Sequence, residues 1–121
     1  VIYQIILFII VLGEFMFVKE VDTYWVRIYM AGDLQIAKHL CREFCMVGLC
    51  VNILETDYIY TMGEEIGFCV ELINYPRFPA TKKEILDKAY DLGSKLMEGL
   101  FQGSYTVITP EKTYWVTRRE Q

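Results

Sequence analysis

From Tyr24 to Met30 the chain alternates: Tyr24, Val26, Ile28 and Met30 take one side, Trp25, Arg27 and Tyr29 the other. A period of two marks a strand with one buried face. Ala31-Gly32 turns the chain, and Asp33 is a suitable N-cap for a helix reaching about Val47. Ala37, Leu40, Cys41 and Phe44 recur at helical spacing and predict its buried stripe, with Lys38, Arg42 and Glu43 facing out. Gly48 stands where a helix-ending glycine belongs.

The stretch "LCVNILETDYIYTMGEEIGFCVELIN" then reads as strand, turn, strand, with "MGEE" as the turn and Glu55-Thr56-Asp57 as a bulge or kink in the first arm. "YPRFPA" is a stiff connector. "TKKE" is a capping box, Thr81 with Glu84, and opens a second helix. Ile85, Ala89, Leu92, Leu96 and Leu100 make its stripe, Gly93 and Gly99 weaken it or permit close packing, and Gly103 marks its end. "SYTVITPEKTYWVTRR" is β, as one bent strand or as two short ones turned at Pro110-Glu111. The order β-α-β-β-α-β predicts an α+β domain of ferredoxin-like topology, an antiparallel sheet with two helices on one face.

The apolar opening "VIYQIILFIIVLGEF" needs its own account. It is short for a membrane span, which takes roughly 20 apolar residues, and Gln4 interrupts it. It has no Lys or Arg before Lys19 and no small-residue cleavage pattern, so it does not read as a signal peptide. Gly13-Glu14 can be encoded by GGA-GAA, a purine-rich ribosome-binding signal, with Phe15 as the spacer and Met16, two residues beyond Glu14, as the start codon. The expectation is that residues 1–15 are upstream read-through or an apolar leader outside the fold, and that residues 16–121 form a single domain.

The net charge is −4 for the whole chain and −3 without Glu14. A mildly acidic domain exerts no general pull on nucleic acid or on anionic membrane, so both are disfavoured as partners. Cys41, Cys45, Cys50 and Cys69 sit among apolar residues and read as reduced, partly buried thiols of a cytoplasmic protein. Their spacing lacks the tight pairs of structural zinc sites, and His39 faces away from them on the helix, so neither a metal nor a cofactor is expected. "MAGD" resembles a phosphate turn, but the carboxylate of Asp33 would occupy the anion position as a cap.

Two candidate sites remain. Trp25, Arg27, Tyr29 and Glu71 are expected on the sheet face away from the helices, with Tyr58, Tyr60, Cys69 and Trp115 sharing it. An open face this aromatic favours a non-enzymatic interaction module, binding itself as a homodimer or another protein. Base stacking on single-stranded nucleic acid competes, without the ribonucleoprotein motif to support it. The second site is the Asn74–Pro79 connector. Pro76 and Pro79 present Arg77 and Phe78 between them, and Arg77 could hold a carboxylate or phosphate beside Asn74 and Tyr75. That alternative makes the chain a small-molecule or nucleotide-binding protein or enzyme.

The segments "AGD", "CREFC", "VGLCV", "YIYT" with "GEE", "INYPRFP" and "TPEKTYW", within residues 28–116, give the chain a resemblance to a family of small uncharacterised proteins encoded by tailed bacteriophages and some bacteria. The resemblance implies a phage or bacterial gene. It implies no activity and no functional residues.

Overall fold

Val26, Ile28 and Met30 point into the core from β3 (Trp25–Ala31), the middle strand of a five-stranded sheet. The computed structural model describes residues 4–11 and 14–119. β3 pairs antiparallel with β5 (Gly63–Ile73) on one side and β6 (Ser104–Ile108) on the other. β4 (Asn52–Tyr60) pairs with β5, and β7 (Thr113–Thr117) with β6, giving the order β4-β5-β3-β6-β7. With α1 (Leu34–Cys45) and α2 (Lys82–Gly99) this is the expected ferredoxin-like arrangement, extended by β7 at one edge.

Both helices cover one face. Ala37 and Cys41 of α1, and Ile85, Ala89, Leu92, Leu96 and Met97 of α2, meet Val26, Ile28, Phe68, Val70, Leu72, Tyr105 and Val107 of the sheet. Gly93 lets α2 approach the sheet closely, because a Cβ there would lie 2.5 Å from the Tyr105 ring. The expected stripes are the buried ones, although Leu40 and Phe44 are only partly covered. Asp33 caps α1 by accepting from the Ile36 N–H, and Thr81 with Glu84 forms the complete capping box on α2.

Four local expectations need correction. β4 runs unbroken through Glu55-Thr56-Asp57, since each residue keeps its partner on β5. The hairpin turn is Thr61-Met62 rather than "MGEE": Tyr60 pairs with Gly63, and Met62 takes the positive φ (72°) that a glycine would ordinarily supply. Glu64 and Glu65 are therefore strand residues. α1 stops at Cys45, and Gly48 at φ +100° leads the chain away from it. α2 ends at Gly99 rather than Gly103, because Phe101 turns left-handed (φ 57°) and the Gln102 N–H bonds back to the Met97 carbonyl. The terminal β segment resolves into two strands. Thr109 shapes the turn between them, its hydroxyl accepting from the backbone N–H groups of Glu111 and Lys112.

β1 (Gln4–Val11) and β2 (Glu14–Glu20) pair with each other in a separate two-stranded sheet. Val1–Tyr3, Leu12 and Gly13, which belong to the expected leader, lie outside the described residues.

Candidate functional site

The register carries the odd-numbered residues of β3 to the face away from the helices. Arg27 stands opposite Glu71, and Tyr29 opposite Cys69. The Arg27 guanidinium lies 4.2 Å from the centre of the Trp25 ring and donates from Nε to Glu71 Oε2 at 2.7 Å. Asn52 donates to the other Glu71 oxygen at 3.4 Å. Tyr29 and Cys69 stand opposite each other across the strands, and burial pushes both groups up from their ordinary pKa. Trp25, Arg27, Tyr29 and Glu71 are thus on one face as expected, and the pair Arg27–Glu71 neutralises itself.

The connector divides its residues between two tasks. Asn74 is structural: it donates to the Asp22 carbonyl at 2.7 Å and accepts from the Ala80 N–H at 3.0 Å, tying the link before β3 to the entry of α2. Tyr75 and Phe78 form a bridge with stacked rings, centroids 6.2 Å apart. They wall a pocket of about 410 Å³ with Leu49, Leu72 and Ile85 inside it and the exposed Glu84 and Lys88 on its lining. Arg77 is exposed, lies 5.7 Å over the Phe78 ring and does not line that pocket.

A second cavity, of about 350 Å³, opens at the other end of the free sheet face. Its aromatic side is Tyr29, Tyr58 and Tyr60, and its polar side is Gln102, Ser104, Thr106 and Arg119. Ala31, in the middle, pairs with Gly67. The glycine is required there: a Cβ would run into the Met30 carbonyl and lie 2.5 Å from the Tyr58 ring. Tyr58 therefore lies flat on the sheet and donates to the Phe68 carbonyl at 2.7 Å. Burial pushes its phenol up to about 12, so the ring is neutral at any physiological pH. Tyr60 packs on Gly63 and donates to Glu65 Oε1 at 3.1 Å, which orients that carboxylate at one end of the cleft. Arg119 lines the cleft from beyond β7.

Alternation placed Tyr29, Tyr58 and Tyr60 on this face. Glu65 and Arg119 escaped the sequence reading. Glu65 fell in a turn assigned two residues late, and Arg119 follows the last strand with no motif around it. Gly67 was the available signal, since an isolated glycine inside a strand pattern marks a close approach.

The fold is shared with two solved structures of a phage protein. A phage SAM lyase in its apo state aligns with a TM-score of 0.60 at 17% identity, covering 81% of this chain and 91% of its own. A phage SAM lyase in complex with S-methyl-5′-thioadenosine aligns equally well and is covered over 93% of its length. No family model and no curated protein matches the chain. Both neighbours being phage proteins agrees with the phage side of the resemblance in sequence. They overturn the main functional expectation, a non-enzymatic interaction module or homodimer: the fold neighbours are a lyase, one of them holding a small ligand. The physical reason for the misreading is visible on the sheet. An aromatic face suits flat small molecules as well as proteins, and here it is broken into a cleft instead of forming one continuous apolar patch. Among the described residues no helix is long and apolar enough to cross a membrane.

Proposed function

We propose that this chain is an enzyme acting on a sulfonium nucleoside of the S-adenosylmethionine class, and that its site is the tyrosine cleft. The observation that carries the reading is the pairing of three fixed tyrosine rings with the oriented carboxylate of Glu65. Adenine stacks on the tyrosine faces. The ribose hydroxyls donate to Glu65. The sulfonium cation rests against the rings, an interaction of roughly 0.5–2 kcal/mol. Attack of an oxygen of the substrate's own α-carboxylate on the tail carbon next to sulfur closes a five-membered lactone, breaks the C–S bond and sends its electron pair to sulfur, leaving the neutral thioether S-methyl-5′-thioadenosine and the amino lactone as the two products. The positive charge at sulfur is lost as that bond breaks, so the rings hold the cationic substrate more tightly than the neutral thioether product.

The likeness of fold to a lyase with that thioether bound supports the same chemical class. The connector pocket suits it less well. Its lining is mainly apolar, and its carboxylate, Glu84, is committed to the Thr81 N–H. On this reading the protein works in the cytoplasm, where its substrate is made, and its gene is a phage gene.

The test is incubation with S-adenosylmethionine and chromatography of the nucleoside products. S-methyl-5′-thioadenosine should accumulate in proportion to enzyme. Glu65→Gln, an exposed substitution outside the core, should lower kcat/KM about tenfold, the loss of about 1.4 kcal/mol of binding. If no thioether forms, and millimolar S-methyl-5′-thioadenosine leaves the melting temperature unchanged, the reading is wrong.

A further inference from the structure

We infer that Arg119 is a specificity-determining residue that holds the α-carboxylate of the substrate's amino-acid tail. The inference rests on the sulfonium nucleoside reading of the tyrosine cleft and assigns its remaining polar end. Arg119 lines the cleft together with Ser104 and Gln102. Its direction is set by two features of the chain. Its backbone N–H donates to the Thr117 hydroxyl at 3.0 Å, and the preceding Arg118 N–H donates to the Gly103 carbonyl at 3.0 Å, which ties this end of the chain to the start of β6. Gly103 leaves room beside the guanidinium, whose Nε would lie 3.6 Å from a Cβ at that position.

Among the described residues nothing takes up its charge: no carboxylate lies within ion-pair distance of Arg119, whereas the other guanidinium on this sheet face, Arg27, is taken by Glu71. An arginine with a planar fork of donors, next to a serine hydroxyl, is suited to a carboxylate or a phosphate. Glu65 supplies the opposite charge from the far strand, so the cleft matches a ligand that is anionic at one end and rich in hydroxyls or positive charge along its length. S-adenosylmethionine has that pattern. Its thioether product has lost the anionic end and so loses the grip of Arg119, which lets product leave before substrate does.

Three stable probes separate the possibilities by calorimetric titration. S-adenosylhomocysteine keeps the tail, S-methyl-5′-thioadenosine lacks it, and adenosine 5′-monophosphate carries a phosphate instead. The wild-type protein should bind S-adenosylhomocysteine about tenfold more tightly than S-methyl-5′-thioadenosine. Arg119→Gln should remove that difference while leaving S-methyl-5′-thioadenosine unchanged, and Arg119→Lys should restore part of it. If Arg119→Gln weakens both adenosyl ligands equally, or neither, the inference is overturned while the reading of the cleft stands. A gain by adenosine 5′-monophosphate alone overturns it in favour of a phosphate site. If the wild-type protein binds neither thioether, the reading of the cleft falls and takes the role of Arg119 with it.

Discussion

Gly67 decides where Tyr58 can lie. Any larger residue on β5 at that point meets the Met30 carbonyl and the tyrosine ring together, and neither can retreat easily: one is backbone in the central strand, and the other is held by its hydrogen bond to the Phe68 carbonyl. Gly67→Ala is therefore expected to destabilise the fold by about 1–3 kcal/mol, the usual cost of overpacking, as measured by urea denaturation. It should also weaken ligand binding at the cleft, because the ring that forms its wall must move. Residues of this kind were only partly legible in the sequence. Trp25, Arg27, Tyr29 and Glu71 could be placed because a half-buried strand imposes a strict period of two. The self-neutralisation of Arg27 and Glu71 depends on cross-strand register, which pairs residues 44 apart in the chain. Asn74 looked like a ligand-binding amide and is a tie between two backbone segments.

At the scale of the element, the helices were the most readable part. The Thr81–Glu84 box and the apolar stripe of α2 both follow from local rules, and both hold in the fold. Thr81→Ala removes the hydroxyl that receives the Glu84 N–H, so the expected loss is about 1 kcal/mol in a urea titration at neutral pH. Boundaries were harder. Met62 and Phe101 both adopt left-handed backbone without being glycine, and each moved a predicted edge away from a nearby glycine that seemed the natural place for it. Local composition does not announce such positions: both side chains are almost fully exposed, and the backbone is held left-handed by the Tyr60–Gly63 pairing at one and by the Gln102 N–H bond to the Met97 carbonyl at the other. The two-residue error at the β4–β5 turn was the costly one. It hid Glu65, and with it the acidic end of the cleft.

Over the whole molecule, burial of phenols and thiols sets a limit to alkaline tolerance. Desolvation raises Tyr58 from 10.0 to about 12 and Cys41 from 9.0 to about 11, and Tyr24, Tyr29, Tyr90 and Tyr105 are raised from the same cause. In each case the unfolded chain gives up its proton at lower pH than the folded one. Their contribution to stability is complete below the unfolded values and is lost as pH climbs through the folded ones. The urea midpoint should therefore hold steady up to about pH 9 as far as these groups are concerned, and fall between pH 9 and 12, as followed by fluorescence. A midpoint that rises across that window would contradict the burial of these groups.

The sheet itself is two-sided in purpose. One face is filled by α1 and α2. The other carries the cleft, with Glu65 on β5 near the centre and Arg119 just past β7 at the edge. An edge strand is held by a ladder on one side only, so its last rungs open and close more often than those of β3 or β5. Arg119 rides on that opening. If Arg119 holds a ligand's tail as inferred above, the closed rung is the competent state, and the ligand's apparent affinity scales with the fraction of time the rung is shut. Fraying at β7 thus becomes a clock on occupancy: a ligand with a tail is retained for as long as the strand end stays zipped, and one without a tail never registers the clock at all.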